Sequence, residues 1–191
     1  TIDKLAVNFS NKQIEQDNFV DKIVSILKEH KFPGERLEIE ITESILMNNV
    51  ESTIEKLDEL HKVGVSVAID DFGIGYSSLS LLQKLPIHRL KIDRSFIHDM
   101  VENEDQSIIE AIAYMARGLK IEMVAEGVEQ DYQLKYLRSL ECPVIQGFLY
   151  SGAAPAKDAK NLIQESNSAH AAEPGKKTGK ERSKETSKQT S

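Results

Sequence analysis

The chain has 191 residues, 40% of them apolar, which is enough to bury one substantial core, and its formal charge is −7. That acidic balance argues against nucleic acid as a partner, and a single cysteine, Cys142, rules out an internal disulfide and points to a reducing, cytoplasmic setting. No apolar run approaches the roughly 18 residues that a membrane span needs, and no spacing of cysteines and histidines suits zinc.

The chain starts at Thr1 and enters a strand-like run, Leu5-Ala6-Val7-Asn8-Phe9, within a few residues, as expected of a segment cut from a larger protein. Phe19, Ile23, Ile26 and Leu27 recur at helical spacing and predict an amphipathic helix over 17–30, ended by Pro33-Gly34. Leu37 to Thr42 alternates apolar and acidic residues, a strand with Glu38 and Glu40 on one face; a half-exposed surface strand would read the same. Val50, Ile54, Leu57 and Leu60 predict a second helix closed by Gly64, followed by a strand from Val65 to Ile69. A turn, Asp70-Asp71-Phe72-Gly73, then leads to a short helix from Ser77 through Leu82. Leu90 to Asp93 predicts a strand, Ile108 to Leu119 a helix, Ile121 to Ala125 a strand, 129–140 a helix and Pro143 to Gly147 a last strand, with a weaker helix over 156–163. From Gln164 to Ser191 there is no Val, Ile, Leu, Met, Phe, Tyr or Trp. Such a segment cannot offset its ordering entropy, so residues 1–163 form the expected domain and 164–191 a disordered polar tail.

Strands alternating with helices predict an α/β fold with a parallel sheet. Asn8, Glu40, Asp70, Lys91, Glu126 and Gln146 each fall in or at the C-terminal end of one predicted strand. That is the face on which a (β/α)8 barrel assembles its active site. A doubly wound open sheet also places ligands there, although no turn supplies the Gly-x-Gly-x-x-Gly phosphate loop such a sheet would want. Singly, each residue has a plain structural reading: Asn8 a turn former, Lys91 an interior salt-bridge partner, Gln146 a satisfied amide, Asp70-Asp71 a solvated turn. In series they assemble hard oxygen donors suited to Mg²⁺ or Mn²⁺, in a set that suits two ions and in-line displacement at phosphorus. Lys91 would hold the attacking water or neutralise developing charge.

Five motifs, Glu38-Ile39-Glu40-Ile41-Thr42-Glu43-Ser44, Asp70-Asp71-Phe72-Gly73-Ile74-Gly75-Tyr76-Ser77-Ser78-Leu79, Leu90-Lys91-Ile92-Asp93, Val124-Ala125-Glu126-Gly127-Val128-Glu129 and Gln146-Gly147-Phe148, together resemble the EAL domain over residues 4–152. The resemblance implies a modified TIM (β/α)8 barrel and a bacterial signalling hydrolase that opens cyclic di-GMP to linear pGpG with two Mg²⁺ or Mn²⁺ ions. It implies Asn8, Glu40 and Asp70 as ligands of one ion, Asp70, Asp71 and Glu126 as ligands of the other, and Lys91 as the residue that positions water. Glu43 is implied to steady the loop after Asp71, Glu129 to be a supporting site carboxylate, and Gln146 and Asp71 to line the substrate side. Dimer contacts through the loop after Asp70-Asp71 are implied as well.

The Glu-Ala-Leu signature and the arginine shortly after it are absent from these 191 residues. By the resemblance they lie on the second strand, so the chain is expected to begin at the third and to hold about six βα units of eight. Ser151 to Pro155 is also smaller than the family's usual close of the last strand. Six strands leave two unpaired edges, predicting poor stability or dependence on a further segment. A non-catalytic cyclic di-GMP receptor or protein-interaction module of the same family is the competing reading, and an unrelated Mg²⁺-dependent barrel enzyme acting on a phosphorylated substrate is a third.

Overall fold

Each short apolar run read from the sequence forms a strand, and the amphipathic stretches between them return the chain so that all strands point the same way. The computed structural model describes residues 3–161 apart from 48–49, 76–78, 103–105, 156 and 160. The elements are β1 (Leu5–Asn8), α1 (Asn11–Ile14), α2 (Phe19–Glu29), β2 (Leu37–Thr42), α3 (Val50–Lys62), β3 (Ser66–Phe72) and α4 (Leu79–Leu82). They continue with β4 (Arg89–Ile92), α5 (Arg94–Glu102), α6 (Ser107–Leu119), β5 (Glu122–Ala125), α7 (Asp131–Ser139) and β6 (Val144–Ile145). The six strands lie in chain order, β1-β2-β3-β4-β5-β6, and every neighbouring pair is parallel. A doubly wound sheet would reverse its order at a switch point. This one never does, so the chain is an incomplete β/α barrel.

These elements belong to one compact unit, Ile2–Ala153. Thr1 with Ala154–Ser191 is a separate unit, in which residues 157–159 and 161 are helical, inside the stretch read as a helix over 156–163. The predicted polar tail, 164–191, lies outside the described residues. No helix among the described residues is long and apolar enough to cross a membrane.

Parallel register sorts the strand residues into two faces. Ile39 pairs with Val67, Ile41 with Ile69, Ile69 with Leu90, Leu90 with Met123 and Ile92 with Ala125. All of these are buried in one core with Phe19, Ile23, Leu57, Leu60, Ile97, Ile109, Ile112 and Leu137 from the helices. The other face carries Glu38, Glu40, Ser66, Ala68, Arg89 and Lys91, and it too is covered: Glu38 is 3% and Glu40 7% exposed. The half-exposed surface strand is therefore excluded for β2. Both faces are buried because a barrel strand has helices outside and other strands' side chains within.

Buried charge of this kind survives only when paired. Toward the N-terminal ends of the strands, Glu38 accepts from Arg89 at 3.0 Å, from the Ser66 hydroxyl at 3.1 Å and from Lys4 at 3.5 Å. Arg89 also donates from Nε to Glu122. Beside this network the rings of His61 and His88 lie 4.9 Å apart, and His88 Nδ1 accepts the Val67 amide at 3.3 Å. Burial, then the neighbouring His61 and Lys4, hold the His88 pKa below its usual 6.5, against an opposing pull from Glu38. The folded protein consequently binds fewer protons than the unfolded chain in this range, so stability is intact above pH 6.5 and falls as pH drops below it toward the folded-state pKa. Between pH 7.5 and 5.5 the Tm of the native chain should fall further than that of His88→Asn, whose amide oxygen can still accept from Val67 but does not titrate. Parallel Tm curves for the two would remove His88 as the cause.

Beyond the one-turn α1 (Asn11–Ile14), which the sequence reading also lacks, two features depart from it. β3 runs on through Phe72, where the strand was expected to end at Ile69. The register explains this: Ile69 pairs with Leu90 but Phe72 pairs with Ile92, so Asp70 and Asp71 together oppose Lys91 in a bulge. The second is α5, absent from the sequence reading. Its apolar residues Phe96, Ile97 and Met100 follow Asp93, whose carboxylate accepts the Ser95 amide at 2.8 Å, and that cap with the i, i+1, i+4 spacing was the signal available.

Candidate active site

Adjacent residues in a regular strand point to opposite faces, so Asp70 and Asp71 could not both address one site from an unbroken β3. The bulge removes that obstacle. Asp71 takes a left-handed φ of 52°, a conformation that Asp tolerates better than most side chains. One carboxylate oxygen each of Asp70, Asp71 and Glu126 then lie within 4.8 Å of one another.

Lys91 ties the remaining acid to this group. It is 4% exposed, and its Nζ lies 2.9 Å from Glu40, 2.8 Å from Asp70 and 2.6 Å from Glu126, so β2, β3, β4 and the residue after β5 converge on one ammonium. Burial opposes the charge on Lys91, but the hydrogen bonds to Asp70, Glu126 and Glu40 outweigh it and hold its pKa well above the usual lysine range. Burial pushes Glu126 up, with Lys91 working against that shift. Asp71 is raised first by burial, then by repulsion from Asp70 and Asp93. Taken as ionised, Glu40, Asp70, Asp71 and Glu126 outnumber the Lys91 ammonium by three charges. An all-oxygen cluster with that excess, its donors close enough to share an ion, fits hard divalent cations and does not fit a soft thiolate or imidazole site.

The flanking residues are placed as follows. Asn8, at the end of β1, is in register with Glu40 and is exposed. Glu43 is buried, and its Oε2 accepts the amides of Gly73 at 3.3 Å and Gly75 at 3.0 Å, bracing the turn that follows Asp71. Gln146 is exposed just beyond β6, and its backbone N–H donates to the Ala125 carbonyl at 2.8 Å. Glu129 is not one of the three residues whose carboxylate oxygens lie within 4.8 Å of one another. Its side chain is exposed and borders a cavity of about 380 Å³ with Arg94, Ser95, His98, Asp99, Gly127 and Gln133. Buried Gln133 accepts the backbone amides of Glu129 at 2.8 Å and Gln130 at 2.9 Å, which fixes the turn after Glu126. Sequence reasoning passed over Gln133, Asp93 and Phe96. Only Asp93 was visible in a motif, beside Lys91.

Comparison with known proteins agrees with this fold. The EAL domain model matches residues 1–153, and the chain belongs to that family. It is 42% identical over 162 residues to the Cyclic di-GMP phosphodiesterase NbdA of Pseudomonas aeruginosa, covering 84% of this chain and 21% of NbdA, so it spans about a fifth of that relative's length. Among solved structures, the EAL domain of Mycobacterium smegmatis DcpA superimposes with a TM-score of 0.80 at 40% identity, over 85% of this chain and 73% of that one. Klebsiella pneumoniae BlrP1, solved as a manganese and cyclic di-GMP complex, superimposes with a TM-score of 0.69 at 29% identity, over 78% of this chain and 38% of that one.

Proposed function

We propose that the domain hydrolyses cyclic di-GMP to linear pGpG with two divalent ions, Mg²⁺ or Mn²⁺. The observation that carries this reading is the convergence of Glu40, Asp70 and Glu126 on Lys91, with Asp71 brought alongside by the bulge. Asn8, Glu40 and Asp70 would hold one ion and Asp70, Asp71 and Glu126 the other; when bound, the ions supply charge neutralisation at the phosphodiester and acidify water. Lys91 orients the attacking water or offsets charge on the phosphoryl oxygens. Water oxygen bonds to phosphorus as the P–O3′ bond breaks, and the 3′ oxygen leaves as a hydroxyl. Glu43 keeps the turn after Asp71 in place, while Glu129 and Gln146 border the substrate side. Exposed Ile74 in that same turn supports contact with a second copy. The single cysteine and acidic balance accord with a cytoplasmic location.

Because Glu-Ala-Leu and its following arginine are absent from these residues, the 191-residue chain should turn over little by itself. Chromatography of products with Mg²⁺ or Mn²⁺ tests this, comparing the chain with a longer one that includes such a segment. Equal rates would remove any need for the added residues. Tight binding of cyclic di-GMP by the longer chain with no pGpG formed would favour the non-catalytic receptor instead.

A further inference from the structure

Three carboxylates of the candidate site sit on two segments, the bulged end of β3 with Asp70 and Asp71 and the turn after β5 with Glu126. The first turn of α5 touches both. On one side is Gly73, at φ 103°, where a Cβ would lie 2.7 Å from Cε2 and 3.0 Å from Cζ of Phe96, so the ring rests directly on glycine backbone. On the other is Gly127, at φ 70°, where a Cβ would lie 2.6 Å from Cβ of Arg94. Between them Asp93 is buried and accepts the Ser95 amide at 2.8 Å, close enough to the Asp71 carboxylate to repel it. The turn closes on itself through the Phe96 amide and the Asp93 carbonyl at 3.2 Å.

We propose that the turn Asp93-Arg94-Ser95-Phe96 is a wedge that sets the separation of the two carboxylate loops, with Phe96 the positioning residue for Asp71. A left-handed Asp in a bulge persists only where its surroundings leave it no alternative. Glu43 braces residues 73 and 75 from one side through their amides, and the Phe96 ring closes the other. Without the ring, a glycine already at positive φ has room to move, and the strain at Asp71 relaxes through it. The glycines at 73 and 127 are needed because any side chain there would drive the wedge away from the loops.

The inference uses the proposed function only for what the carboxylates hold, so its test has a metal-free arm. In hydrogen–deuterium exchange without metal, Phe96→Ala should speed exchange of the amides of residues 71–75 about tenfold or more, and in calorimetry it should weaken Mn²⁺ binding by a similar factor. Phe96→Leu, which refills the space, should restore both to near the native values. Leu137→Ala, a core truncation on α7, should lower Tm without changing either. Exchange in 71–75 within twofold of native for Phe96→Ala, or equal effects from Leu137→Ala, would overturn the assignment and leave Phe96 an ordinary packing residue. If the native chain bound no Mn²⁺, the metal reading would fall while the exchange data still decided the wedge.

Discussion

In a longer chain that includes a Glu-Ala-Leu segment, Lys91→Met is expected to lower kcat for cyclic di-GMP hydrolysis by about 10²–10³ and, in chelator, to lower Tm by roughly 6–20 °C. The thioether fills the lysine's space but leaves Glu40, Asp70 and Glu126 without the cation that all three now share. Breaking a buried pair by removing one partner costs about 3–5 kcal/mol, and each kcal/mol moves Tm by about 2–4 °C in a domain of this size. Two further results follow from the same electrostatics. The loss should shrink as pH is lowered toward 5, because the stranded Glu126, already pushed up by burial, can then take up a proton. Adding Mn²⁺ should recover much of the Tm, since ions bound by the native fold stabilise it by mass action. An unchanged Tm in chelator would mean that the three carboxyls are not ionised around Lys91, and the charge argument for a metal site would lose its basis.

In the same longer chain, Asp71→Asn and Asp71→Ala should both cut kcat by about a hundredfold or more, and only the alanine variant should lose stability. Asparagine accepts the left-handed backbone at this position, whereas alanine there costs about 1–2 kcal/mol. In the metal-free protein Asp71→Asn should be neutral or slightly stabilising, because the native carboxylate is repelled by Asp70 and Asp93. Calorimetric Tm and steady-state rates on the pair separate the backbone role from the charge role. Asp71→Asn with activity within tenfold of native would remove Asp71 from the ligand set and leave the bulge as a feature of shape alone.

The strand order is a case where local pattern and final structure coincide. Period-two and 3.6-residue repeats are written into each segment independently, and short crossovers force parallel neighbours, so six strands in chain order follow with little freedom. The candidate site was legible for a related reason: Asn8, Glu40, Asp70, Lys91, Glu126 and Gln146 each end or occupy a strand, and parallel strands bring their C-terminal ends to one face.

α5 was not legible in the same way. The helix is only nine residues long and follows β4 directly, and what anchors it is the Asp93 cap together with the contact of Phe96 on Gly73, a neighbour distant in the chain. The burial of both faces of β2 was ambiguous too, because Glu38 is buried only through its pairing with Arg89, Lys4 and Ser66, which come from three other places in the chain.

The residue types and spacing of the strands and of most helices, and the likeness to the EAL family, were therefore determined by the sequence alone, because each depends on neighbours within one short segment. The tertiary structure decided the rest. Asp70 and Asp71 are adjacent in any conformation, but whether both carboxylates can address one site depends on two residues of β3 opposing a single residue of β4, and that mismatch exists only once the strands are paired.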